Sequence, residues 1–130
     1  MTDTAKQPDI RPWDNQFEVE NVDVIAETAE LRVIELTLRP GECVPWHAHP
    51  ENADIFYPVQ GAIDIHEKMP ETVTRITVGE AHTVPARRAH LVHNPTGETI
   101  RFLNIQGPGA YDYLPIGDQS APEFTPKPLD

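Results

Sequence analysis

Between residues 31 and 109 the chain repeats one rhythm, and that rhythm is what most limits its fold. Short runs of Ile, Val and Thr are each cut off by a Gly or Pro turn. Residues 31–38 end at Arg39-Pro40-Gly41-Glu42, residues 54–60 at Gly61, and 62–66 at a polar loop around Met69-Pro70. Residues 72–78 end at Gly79-Glu80, and 99–106 at Gly107-Pro108-Gly109. β-branched side chains lose rotamer freedom in a helix and pack well on a pleated sheet. Twenty Ile and Val stand against 7 Leu, with 14 Pro and 7 Gly, so a helical bundle is excluded. Evenly spaced short strands separated by turns predict a β-sandwich or barrel, all-β with little helix.

The rest of the composition sets bounds. At 130 residues and 38% hydrophobic content the chain supports one domain with one modest core. Its formal net charge of −11 and the lack of any basic run longer than Arg87-Arg88 argue against nucleic acid or an anionic membrane as partner. The single cysteine, Cys43, precludes an intramolecular disulfide and a thiolate metal cage. The polar start has no apolar segment behind it, and no run approaches the roughly 20 apolar residues of a membrane span. A cytoplasmic protein is expected. Residues 1–20 read as an N-terminal arm, 21–113 as the barrel and 114–130 as a Pro-rich tail, either loose or wrapped along the domain in extended form.

The histidines are the chemically informative residues. His47 and His49 are two apart, and on a strand such residues project from one face. Neutral imidazoles side by side suit Zn, Fe, Ni or Cu, and bind Mn when a carboxylate assists. The flanking residues extend the pattern. Gly41, His47, His49, Asp54 and Gly61 form one spaced set; Gly79, Pro85, His90 and Asn94 form a second.

These two sets resemble the two signature motifs of the cupin superfamily, Gly-x5-His-x-His-x3-4-Glu-x6-Gly and Gly-x5-Pro-x-Gly-x2-His-x3-Asn. Eight of the ten specified positions match, in order and at the family's spacing, with motif one at 41–61 and motif two at 79–94. The resemblance covers residues 31–106. It implies a single six-to-eight-plus-stranded antiparallel jelly-roll β-barrel, as in small single-domain members, in which His47, His49, Asp54 and His90 converge on one divalent metal ion (Fe, Mn, Zn or Ni). Two positions depart from the pattern. Asp54 replaces the family's Glu, one methylene shorter, and is preferred as ligand over Glu51. It can bind the metal directly or through a water, or act as the general base. Arg87 replaces a Gly, and because a left-handed backbone is costly for Arg, a turn of another type is expected there.

Other residues carry weaker expectations. Phe56 shares the phase of Asp54 and is expected to face the pocket, with Tyr57 on the opposite surface. Cys43 is a weak candidate for the pocket mouth and otherwise a buried thiol. His66 and His82 fall outside both motifs; so does His93, which is expected on the surface. Arg32, Arg75 and Arg101 are candidates for a substrate carboxylate, with solvated strand residues the commoner outcome. Tyr111 and Tyr113 are expected to cover one barrel end, and Trp13 and Trp46 to supply core or interface area.

The function expected is a metal-dependent enzyme acting on a small oxygen-rich organic acid or sugar-like molecule, by isomerase or lyase, dioxygenase or decarboxylase chemistry. A small-ligand or metal-binding module without catalysis is the alternative. Small cupins pair as homodimers, often through an N-terminal strand, and residues 1–20 fit that mode.

Overall fold

Where inward positions alternate with outward ones, the backbone follows the sequence pattern closely. In the computed structural model, which describes residues 19–122, the chain forms ten strands and, among those residues, no helix. They are β1 (Asn21–Glu27), β2 (Arg32–Leu38), β3 (Cys43–Ala48), β4 (Asp54–Gln60) and β5 (Ala62–Glu67), then β6 (Thr72–Thr77), β7 (His82–Val84), β8 (His90–His93), β9 (Ile100–Gln106) and β10 (Leu114–Pro115). The pairing of two copies through residues 1–20 and the place of Trp13 lie outside the described residues, apart from the last two positions of the arm.

The ladders make two five-stranded sheets. Sheet one has the order β1-β2-β9-β4-β7 and sheet two β10-β3-β8-β5-β6, with every pairing antiparallel. Among the described residues no ladder joins the sheets. The all-β jelly roll expected from the sequence is thus built as two antiparallel sheets facing each other, with open edges. Strands β2 and β9 alternate strictly between buried and half-buried positions. Their inner faces give Ile34, Leu36, Leu38, Ile100 and Phe102 to a core completed by Val44, Ile63, Ile65 and Val92 of sheet two. Residues 114–115 are not loose: β10 pairs with Ala48 and His47, and the Ile116 N–H donates to the Trp46 carbonyl at 2.9 Å.

Two rows of side chains matter for function. Across sheet one Arg32, Gln106, Asp54 and Val84 stand abreast, and the row below holds Ile34, Asn104, Phe56 and His82. Across sheet two His47, His90 and Glu67 stand abreast. One polar row of each sheet is thus placed against the other above an apolar core.

Turn chemistry bears out one motif expectation and corrects another. Gly61 and Gly79 adopt φ of 82° and 94°, a region that favours glycine. Arg87, however, also takes the left-handed conformation, at φ 70°, against the expectation of another turn type. The reason lies in its N–H, which donates to the His49 carbonyl at 2.7 Å and ties the second motif to the His-x-His segment. Asn94 makes a further tie. Fully buried, its side chain donates to the carbonyls of Leu38 and Glu98 and accepts from the Thr96 N–H and hydroxyl, while its backbone bonds to Gly41 and Glu42.

Candidate metal centre

His47, at the end of β3, and His49, just beyond it, project together as their spacing predicts. β8 brings His90 beside His47, and β4 contributes Asp54 from the opposing sheet. One ligand atom from each of the four lies within 4.8 Å of the others, and all four residues are buried, 1 to 3% exposed. Ring centroids stand 4.2 Å apart for His47 and His90 and 4.8 Å for His47 and His49.

Backbone carbonyls set the rings. His47 Nδ1 donates to the Pro45 carbonyl at 2.6 Å, His90 Nδ1 to that of Arg88 at 2.9 Å, and His49 Nδ1 to that of Asp112. A carbonyl oxygen only accepts, so each Nδ1 carries the proton and each Nε2 turns a lone pair inward. Asp54 Oδ2 lies 2.8 Å from both His49 Nε2 and His90 Nε2. Lone pairs at that distance repel unless a cation joins them, a proton or a metal ion. Asp54 Oδ1 is buried with no hydrogen-bond partner. Three imidazole nitrogens and a carboxylate in one dry site are the donor set of a divalent transition metal, and these residues can hold one.

The protonation tendencies differ between the rings. Burial, reinforced by the neighbouring His90 and His49, holds His47 well below the ordinary imidazole range, ready to bind as a neutral ring. For His49, burial pulls downward but the contacts with Asp54 outweigh it, and its pKa is raised. Burial pushes Asp54 upward, and the bonds from His49 and His90 more than reverse this, keeping it a carboxylate.

A cavity of about 20 Å³, room for about one water-sized group, opens beside the cluster. His47, Phe56, Asn104, Gln106, Tyr111 and Tyr113 line it with apolar core side chains. Phe56 is buried there, 5.9 Å from the His90 ring centroid, while Tyr57 is exposed on the far side. Tyr113 stacks on His47 at 4.5 Å, and both tyrosines remain neutral phenols because burial raises their pKa. Cys43 does not line the cavity. It is buried opposite His93, and burial, with Glu42 adding to it, pushes its thiol up to about 11, an inert position.

His93 and Arg32 sit elsewhere than expected, while Arg75 and Arg101 take surface positions as the commoner outcome had it. His93 is buried, 3% exposed, not on the surface. It does point away from the metal cluster, but β8 lies mid-sheet, and Cys43, Asp64 and the His66 ring crowd it. His82 faces inward beside Phe56 and bonds Glu67 at 2.6 Å; Arg88 reaches the same carboxylate at 2.8 Å. This trio joins sheet one to sheet two next to His90. Arg75 bonds Asp64 and Arg101 bonds Glu35, each at the sheet surface. Arg32 is buried, 4% exposed, with its guanidinium 4.2 Å over the Tyr111 ring. Sequence reading passed over Asn104 and Gln106. Their signal was two amides in the inward phase of a strand whose other inward residues, Ile100 and Phe102, are apolar.

Comparison with known proteins places this arrangement. A cupin domain model matches residues 34–106. An uncharacterized conserved protein with a double-stranded beta-helix domain from Klebsiella pneumoniae subsp. pneumoniae MGH 78578 is 22% identical, with a TM-score of 0.65 over 85% of this chain and 100% of that one. KdgF from Halomonas sp. is 20% identical, with a TM-score of 0.60, 68% of this chain and 77% of that one being covered. The oxalate decarboxylase of Lactobacillus farciminis, solved as a formate complex, is 18% identical with a TM-score of 0.65, covering 73% of this chain and 30% of that one. At such identities the likeness carries the fold. No curated protein matches the sequence. Matched over more than half its length and folded as these structures are, the chain belongs to the cupin family.

Proposed function

We propose that the protein is a metal-dependent enzyme that acts on a small oxygen-rich organic acid or sugar-like molecule. The observation that carries this reading is the convergence of three inward Nε2 atoms and the Asp54 carboxylate beside a cavity. His47, His49, His90 and Asp54 Oδ2 would hold one divalent ion. When bound, the ion supplies Lewis acidity toward a substrate carbonyl or carboxylate oxygen. The protein's own contribution is positional and protonic. Pro45, Arg88 and Asp112 fix the ring orientations through their carbonyls, Phe56 and the apolar core exclude water, and Asp54 Oδ1, buried without a hydrogen-bond partner, is left to accept a proton. Oxalate, named for an oxidase and a decarboxylase among the structural neighbours, is consistent with this chemical class.

Elemental mass spectrometry of protein purified without added metal tests the reading. One divalent ion per chain is expected in the native protein, with loss of most of it in His47→Ala and in His90→Ala. No ion in the native protein, and none taken up on dialysis against Fe, Mn, Zn and Ni, would overturn it in favour of a non-catalytic binding module.

A further inference from the structure

Gln106 occupies a position that neither the core nor the metal cluster explains. It is 3% exposed, stands abreast of Asp54 on the adjoining strand, and lines the cavity. Neighbouring strands are about 4.8 Å apart, so its side chain is the next group along the row from the cluster.

A relay of amides fixes which atom it presents. Asn104 Nδ2 donates to the Ile55 carbonyl at 3.3 Å, which leaves Asn104 Oδ1 as an acceptor; Gln106 Nε2 donates to that oxygen at 3.0 Å. Gln106 Oε1 is thereby left at the cavity as a buried acceptor with no hydrogen-bond partner. A buried acceptor of this kind calls for a donor. A carboxylate cannot supply one and would be repelled, whereas a hydroxyl group can, and the cavity is the size of such a group. On the other side of Gln106 in the same row is Arg32, whose guanidinium lies over Tyr111, in turn 5.3 Å from the His49 ring. Its charge is shared with Glu27, whose Oε2 lies 3.5 Å from Arg32 Nε, so Arg32 bounds the row and the acid group of the ligand follows from the reading above.

We propose that Gln106 is a specificity-determining residue whose Oε1 accepts the hydroxyl of a small hydroxy acid seated between Arg32 and the metal cluster. The proposal deepens the reading above and rests on it for the ligand's place.

The test compares three probes that share a carboxylate: glycolate, which donates from its hydroxyl; methoxyacetate, which keeps the ether oxygen but cannot donate; and acetate, which lacks the oxygen. Each is titrated calorimetrically into the zinc-loaded and the metal-free chain, wild type and Gln106→Met. The wild type should bind glycolate at least tenfold tighter than methoxyacetate. The ratio should fall close to one in Gln106→Met, with zinc stoichiometry and circular dichroism unchanged. A preference retained in Gln106→Met would assign the hydroxyl to the metal or to another group and overturn the proposal. Failure of the wild type to prefer glycolate, or to bind any probe at millimolar concentration, would overturn it too, leaving Gln106 Oε1 to an ordered water alone. If neither zinc nor Fe, Mn or Ni binds, the enzyme reading falls, and the metal-free titration still decides the role of Gln106. As a second variant, Gln106→Glu should fold and should weaken glycolate binding at least tenfold by charge repulsion.

Discussion

Asn94 concentrates more structure in one side chain than any ligand histidine does. Four hydrogen bonds join the end of β2, the turn at 95–98 and the end of β8, and all but the one to the exposed Glu98 are fully buried. Removing it leaves buried backbone groups without partners, at about 1–3 kcal/mol for each group left unsatisfied. Asn94→Ala should lower stability by about 3 kcal/mol, read as a reduced urea midpoint with an unchanged slope. Arg87 works in the other direction. Its left-handed backbone costs about 1–2 kcal/mol for a residue with a Cβ, and glycine's extra freedom in the unfolded chain offsets part of the relief. Arg87→Gly should therefore stabilise the protein by about 0.5 kcal/mol in the same urea assay, the His49 tie being a backbone bond that survives the change.

Strands and sheets set the next scale, and here sequence and structure part at definite residues. The same-face placement of His47 and His49 follows from strand period, and Phe56 follows Asp54 for the same reason. Those were legible because each depends on neighbours in sequence. Arg32 was named as a candidate, but its place in one row with Gln106 and Asp54 was not legible, because that row is a register between β2, β9 and β4, strands far apart in the chain. His93 was misjudged for a related reason: pointing outward from the metal face does not imply exposure when the strand lies mid-sheet. That misplacement has a measurable consequence. Burial first, and the adjacent His66 second, depress His93 to about 4, against the pull of Asp64 and with Arg75 adding to the depression; burial lowers His66 as well. Cys43, across the ladder, stays a neutral thiol in this range. The unfolded chain, with histidines near 6.5, binds more protons than the native one between about pH 6.5 and 4, so stability falls as pH drops through that window. His93 accounts for about 2 kcal/mol of the fall once screening is allowed for. Urea midpoints between pH 7.5 and 4.5 should trace it, and His93→Gln should flatten the curve.

For the whole molecule, the His47, His49, His90 and Asp54 cluster is a further tie between two sheets that also share their apolar faces, the Glu67 trio and the bond from Asn94 to the Leu38 carbonyl. Three ligands come from β3, the residues just after it and β8, and the fourth from β4 opposite. An ion that binds only the folded state stabilises it by about 4 kcal/mol at a thousandfold excess over its dissociation constant. Scanning calorimetry should show zinc raising Tm by roughly 10 °C over the chelator-treated protein, and His47→Ala should abolish the rise. The placement of Asp112 adds a condition on how such a site comes into being. His47 and His90 take their orientation from carbonyls two residues away, but His49 takes its own from one 63 residues further along the chain. A nascent polypeptide that has emerged only as far as His90 already displays all four donor groups, yet the ring of His49 lacks the carbonyl that orients its Nδ1. The centre is finished only when the segment carrying Asp112 has left the ribosome and β10 has closed onto β3. An ion held by these four residues would thereby be captured late in the life of the chain, by molecules synthesised past that point.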